Sequence, residues 1–306
     1  MAADQDRTAS LMTPAKLAQV KPKGPVSPAA WLNQMAADAG HQHVRRLAEL
    51  RGELEADSRR GLGGVTAALA RLAEVLPRLD FGLLQSRGWW ARTTGKARTA
   101  GAEFARCFEE IDEAANGLLV QVQVLQKAES EQIGADRRWM EFEVEYHAIE
   151  KIIDQGARWL QDMRNQLKTR QAGASDAQTL QAVKDDAARC EILVERLKKL
   201  RAVTSAAQAA QQQAQEAVKR RAALGQQFQQ AANGQVKTWR TRLGTIAANA
   251  TDDSAPSLSL EEPMESHREL QLWLKRAAAD CAQLQGHEEA AARGLAALAT
   301  PLEAAR

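Results

Sequence analysis

The chain is predicted to be all-α, an elongated antiparallel helical bundle or coiled coil with long helices. Three observations lead there. Ala makes up about one in five of the 306 residues, joined by Gln, Glu, Leu, Arg and Lys, all good helix formers. Only 4% of residues are aromatic, and there are 19 Gly and 8 Pro. A sandwich or barrel would need frequent turn signals and many β-branched and aromatic residues, and a doubly wound fold would need short apolar runs between helices. The third observation is a long apolar repeat in the middle of the chain.

The elements follow in order. The opening stretch mixes charge with proline, which predicts a disordered arm over residues 1–26. Ser27-Pro28 reads as an N-cap followed by proline at the first helical position, so helix one should run to about Ala56. Gly61, Gly63 and Gly64 break it. Val65, Leu69, Leu72 and Leu76 trace a short second helix that Pro77 ends. Residues 77–100 have no sustained period and read as a hinge with one short helix. Residues 27–100 therefore form a segment of short helices with a basic, Trp-containing hinge.

The repeat runs Phe104, Phe108, Ile111, Ala115, Leu118, Val122 and Leu125, spaced alternately four and three. The same phase meets the polar Glu129, Gln132 and Asp136. It turns apolar again at Trp139, Phe142, Tyr146, Ile149, Ile153, Gly156, Leu160, Met163 and Leu167. Such a seam predicts one continuous helix of about nine heptads, roughly 100 Å long. RQAGASD at 170–176 is the expected loop. The next helix starts near Ala177, with Leu180, Val183, Ala187, Cys190, Leu193, Leu197 and Leu200 as its stripe. Its Ala/Gln section should pack thinly, through close Ala faces. Val218, Leu224, Phe228, Val236, Trp239, Leu243 and Ile246 are larger anchors, and Gly234 marks a kink or a break. Residues 101–250 are thus the long-helix core. Ser, Pro and Asp make 251–265 a linker. Ser266 and Glu269 form an S-x-x-E capping box that opens a C-terminal helix over 266–306. That helix carries Leu270, Trp273, Ala277, Cys281 and Leu284 and weakens toward Pro301. Short loops between long helices make neighbours antiparallel.

Lys and Arg number 41 and Asp and Glu 39, a net charge of +2. This near-balance argues against nucleic acid, whose non-specific binding depends on phosphate neutralisation. No run of about 18 apolar residues predicts a transmembrane helix, and the N-terminus lacks a signal-peptide layout. Three scattered cysteines, Cys107, Cys190 and Cys281, fit neither a disulfide framework nor a zinc spacing. A cytoplasmic location with reduced thiols is expected, the cysteines being small buried hydrophobes.

One stretch stands apart. Arg87, Trp89, Trp90, Arg92, Lys96 and Arg98 interleave cations with a Trp pair, with no acid between Asp80 and Glu103. This is the candidate interaction patch. It suits a partner protein or an anionic membrane surface. It equally suits a Trp pair that plugs the bundle end with solvated cations beside it. Glu143, His147, Glu150 and Asp154 share a helical strip beside the seam and read as solvated charge, because bundle metal sites place their carboxylates inward. His41 and His43 point to different faces. No nucleophile elbow, phosphate loop or zinc-helix motif is present. No catalytic, cofactor-binding or metal-binding residue is assigned, and an enzyme is not expected.

FGLLQSRGWWARTTGKARTAGAEF, followed by FEEIDEAANGLLVQVQVLQKAESEQIGADRRWMEFEVEY, resembles the toxic-anion-resistance family of TelA-like (KlaA-like) tellurite-resistance proteins. Ile111-Asp112 and Asp136 stand at comparable places in the two patterns. HAIEKIIDQGARWLQ is similar to the family's following helix, and QVKTWRTRL to a later region. The resemblance covers about residues 75–250. It implies a cytoplasmic helical protein of tellurite or toxic-anion stress resistance, and it carries over no active site. The expected function is non-enzymatic, acting through protein partners or membrane-surface contact, with oligomerisation through the seam as one outcome. The alternative is an unrelated scaffold, adaptor or surface-coat protein.

Overall fold

In the computed structural model the chain is an all-α helical bundle. The structure describes residues 36, 39–58, 61–85, 96–130, 133–250 and 259–306, and none of these forms a strand. The helices are α1 (His41–Ser58), α2 (Gly64–Val75), α3 (Gly82–Gln85), α4 (Lys96–Ser130), α5 (Ile133–Gly173), α6 (Ala177–Ala231), α7 (Lys237–Ala250), α8 (Glu261–Ala297) and α9 (Ala299–Ala304). Helix α2 ends at Val75, one residue before the expected Leu76, and a 3-10 turn at Leu76–Arg78 that contains Pro77 follows it. A π-helical turn at Ala232–Val236 separates α6 from α7 around Gly234.

The chain divides into two compact units. The first holds α1, residues 134–214 and residues 290–306. The second holds α2 to α4 with residues 215–250 and 259–289. Each has its own apolar core.

In the first unit α5 and α6 are joined by a three-residue loop and run antiparallel. Tyr146 meets Gln211 toward one end and Arg170 meets Asp186 at the other. Asp176 opens α6 by accepting from the Thr179 hydroxyl at 2.7 Å and the Thr179 N–H at 2.6 Å, and these bonds, the hydroxyl's first, hold its carboxyl below the usual range. The helix before this loop reaches Gly173, so the connection is shorter than the 170–176 expected. Helix α1 lies antiparallel on α5 through His43–Glu145 at 2.6 Å, Arg46–Glu141 at 2.8 Å and Arg138–Asp57. The expected helix from Ser27 to Ala56 is interrupted. Ala39 and Gly40 form a turn, and α1 opens at His41. Gly40 takes φ +70°, a left-handed conformation that favours glycine, and a Cβ there would sit 3.3 Å from Leu200 Cδ2. Arg196 donates to the Ala39 carbonyl at 2.8 and 3.0 Å and to the Ala305 carbonyl. One side chain thus ties the turn before α1 and the end of α9 to α6.

In the second unit α2 lies on α4 with Arg78 reaching Glu110 at 2.9 Å. Helix α7 runs antiparallel to α4 through the two-pronged Arg240–Asp112 pair at 2.6 and 2.8 Å. Phe228 and Trp273 meet edge to face at 6.2 Å across α6 and α8. Arg221 and Glu288 form a buried pair between the same two helices.

Several sequence expectations change. The seam 104–167 lies on two helices that serve different cores. Ile111, Ala115 and Leu118 are buried in the second unit, and Phe142, Ile149 and Leu160 in the first. Continuity across Glu129–Asp136 turns on Glu131 and Gln132, which lie outside the described residues. The arm at 1–26 and most of the expected linker, 251–258, lie outside them too. Ser266 is not a cap. Helix α8 starts at Glu261, with Pro263 in its first turn where a missing N–H is harmless, and Ser266 is buried. The stripe does not fade toward Pro301: Leu295, Leu298, Leu302 and Ala305 are all buried. Leu180, expected in the stripe of α6, and Val218, expected as an anchor, are exposed, because the apolar face of α6 turns away from them. The Ala/Gln section does pack through close faces. Ala207, Ala210, Ala214 and Ala217 are buried, and a Cβ on Gly294 would lie 3.3 Å from the Ala210 backbone.

Candidate functional site

The sequence patch is placed only at its edges. Arg87, Trp89, Trp90 and Arg92 lie outside the described residues. Lys96 begins α4, and Arg98 is exposed on the first turn. The near edge is Gln85 at the end of α3. Its side-chain amide lies 3.9 Å from the Met264 sulfur, one turn into α8. Gln85, the last described residue before the patch, thus lies beside the start of α8.

Next to that point lies an aromatic cluster that the sequence did not single out. Asp80 accepts from the Gly82 N–H at 2.8 Å and opens α3, which sets Phe81 against the core. The Phe81 ring meets Phe104 at 5.7 Å and the His267 imidazole at 5.4 Å, both edge to face. Trp239 lies 6.2 Å from His267 on another side, and Phe108 6.0 Å from Trp239. His267 and Trp239 are both buried.

The Gln271 amide nitrogen lies 3.0 Å from His267 Nε2. An amide nitrogen donates, so Nε2 accepts and the ring proton sits on Nδ1. His267 Nδ1 and Trp239 Nε1 are both buried and have no hydrogen-bond partner among the described residues. Burial lowers the His267 pKa from 6.5 to about 4, because desolvation penalises the charged imidazolium. The neutral ring is the form that fits. Beside the cluster, hydrogen bonds from Arg240 to Asp112 raise the guanidinium pKa and fasten α7 to α4.

The other sequence candidates resolve as follows. His147 sits 2.7 Å from Glu150 and 3.6 Å from Glu143, all three well exposed on one face of α5. This is the solvated strip expected from spacing. Glu143 also accepts from Gln211 at 2.9 Å, while Gln211 receives the Tyr146 hydroxyl at 2.6 Å. Gln211 is thus a buried polar hub, and nothing in the Ala/Gln run marks it. Among the described residues no group of three or more His, Cys, Asp or Glu is placed to hold a metal ion. Cys190 and Cys281 are buried and their pKa values are raised by desolvation. Cys107 is half-buried. His41 is exposed, and His43 is tied to Glu145.

On the surface, two helices show paired apolar side chains. Val120 and Val124 on α4 are 46% and 55% exposed, and Met140 and Val144 on α5 are 61% and 65% exposed. Residues four apart share a helix face. Among the described residues, no helix is long and apolar enough to cross a membrane. Compared with known proteins, the chain matches no family model, no curated protein and no solved structure.

Proposed function

We propose that the chain is a non-catalytic helical interaction protein, working in the cytoplasm. Its setting is the stress resistance that the TelA-like resemblance implies. One observation supports this reading above the rest: the exposed i, i+4 pairs Val120/Val124 and Met140/Val144. Large apolar side chains grouped on a solvent face favour contact with another protein. Several charged groups, by contrast, are spent on ties between helices, such as Arg46–Glu141, Arg221–Glu288 and Arg240–Asp112.

The test is affinity capture with partner identification, using the full chain and a Val120→Ser/Val124→Ser variant. Capture of a defined partner by the natural chain, lost in the variant, is the expected result. An identical set of captured proteins for both chains and for an unrelated helical control would defeat the proposal. The exposed cation Arg98, at the end of the acid-free stretch, favours membrane-surface contact as a second reading. Flotation with anionic vesicles then has to depend on Trp89 and Trp90, read by changing both to Ser.

A further inference from the structure

Helix α4 carries a second stripe besides the seam that faces the second unit's core. Glu113, Gly117, Val120, Val124 and Lys127 are spaced alternately four and three. Each lies two residues on from a seam position, and so on about the opposite side of the helix. Val120 and Val124 are 46% and 55% exposed, and Glu113 and Lys127 at the two ends are exposed as well. Among the described residues, nothing lies within 4 Å of a Cβ placed on Gly117. Branched apolar side chains held in solvent at a repeating spacing mark a face that another molecule covers.

Charge along this stripe says what kind of molecule. The chain is 26% charged, so thirteen residues would ordinarily hold about three charges, yet positions 114–126 hold none. Depletion of charge around exposed apolar side chains is the compositional mark of a contact surface. The run ends in opposite signs at equal distances: Glu113 lies seven residues before Val120 and Lys127 seven after it. Glu113 forms no ion pair among the described residues. A helix face with an acid at one end, a base at the other and an uncharged apolar middle is complementary to itself when turned end for end.

We propose that this face of α4 binds the same face of a second copy of the chain, antiparallel and two-fold symmetric with Val120 at the axis. Glu113 of each copy then lies opposite Lys127 of the other, and Val124 lies over Asn116 and Gly117 of the other. A parallel arrangement would set acid against acid and base against base. The even placing of opposite signs about one valine favours a second copy over a foreign partner. From Glu113 to Lys127 the contact is about 21 Å long. Such an interface is small, so the copies exchange, with a dissociation constant on the order of micromolar. The inference rests on the reading of the chain as an interaction protein and names the partner at Val120 and Val124.

The test is sedimentation equilibrium of the full chain from about 1 to about 100 μM. The average mass should rise with concentration toward that of two chains. Val120→Glu sets two acids together at the axis and should hold the chain as a monomer. Leu272→Glu, at an exposed apolar position on α8, should leave association unchanged. All the substituted positions are exposed, and far-UV circular dichroism checks that each variant keeps its helices. Glu113→Lys alone and Lys127→Glu alone each bring like charges together at both ends and should weaken association about fivefold or more. Mixed in equal amounts, these two variants complement each other at both ends, and association should return. A monomer at every concentration overturns the inference. So does association that survives Val120→Glu, an equal loss from Val120→Glu and Leu272→Glu, or two charge variants that stay weak when mixed. A monomeric chain that still captures another protein through Val120 and Val124 overturns the second copy and leaves the interaction reading standing. A monomeric chain that captures nothing removes both.

Discussion

His267 makes the stability of the second unit depend on pH in a defined direction. Folded, the ring lies among Phe81, Trp239 and Gln271 and stays neutral down to about pH 4. Unfolded, it takes up a proton near its ordinary 6.5. Its folded pKa is therefore depressed, and the unfolded chain binds more protons between these two values. Stability from this group is full above pH 6.5, falls as pH drops, and flattens near pH 4. At 1.36 kcal/mol per unit the whole span is about 3 kcal/mol, of which about 2 kcal/mol is lost between pH 7.5 and pH 5. The perturbation is His267→Leu, which keeps an apolar side chain between Phe81 and Trp239 and removes the unpaired Nδ1. The assay is urea unfolding at pH 7.5, 6 and 5, followed by circular dichroism. Subtracting the variant from the natural chain cancels the carboxylates that also titrate toward acid. The difference should move by about 2 kcal/mol over that range, with the natural chain losing more. Should the two units unfold in separate steps, only the step of the second unit should move. A difference that stays flat across the range would falsify the argument, as would an NMR titration of His267 centred near 6.5.

Two further predictions concern packing. Glu288 and Arg221 are a pair with side chains about nine-tenths buried. Glu288→Ala leaves Arg221 without its counter-ion and should cost about 3–5 kcal/mol, whereas Arg221→Met with Glu288→Leu should recover most of that. Urea midpoints at unchanged slope measure both, and a double variant no better than the single refutes the account. The glycines should divide by environment. Nothing lies within 4 Å of a Cβ added at Gly117 or Gly286, so alanine there should gain up to about 1 kcal/mol from helix propensity. Gly40→Ala, at φ +70° and 3.3 Å from Leu200, should instead cost about 1–2 kcal/mol. Thermal melts of the three variants settle this, and a common sign for all three contradicts it.

Periodic spacing reports which face of a helix is covered, and it does not report by what. That difference explains most of what the sequence revealed and concealed. Leu118 and Leu160 sit in one heptad phase and both are buried, as their spacing predicts. They nevertheless belong to different cores, because partners arrive from distant stretches such as α8. No local pattern carries that information. The pairing of Arg221 with Glu288, 67 residues apart, is hidden for the same reason. Gln211 is hidden differently: its neighbours are also Gln and Ala, and only its contact with Tyr146 distinguishes it.

His267 is the instructive case, because half of it was legible. It lies three residues before Leu270 and seven before Leu274, both buried, so it shares their face. Reading Ser266 as a cap placed His267 in the first turn of a helix that in fact begins at Glu261. Pro263 marks the earlier start, since proline is tolerated in a first turn and excluded from the interior. With the start moved back, phase alone buries the imidazole. What phase cannot supply is the company it keeps. Phe81 comes from the turn before a short helix, 186 residues upstream, and Trp239 from beyond a π-turn. Together they set the ring's charge state. A buried polar residue is thus predictable as buried from its own helix, while its chemistry belongs to the helices that enclose it.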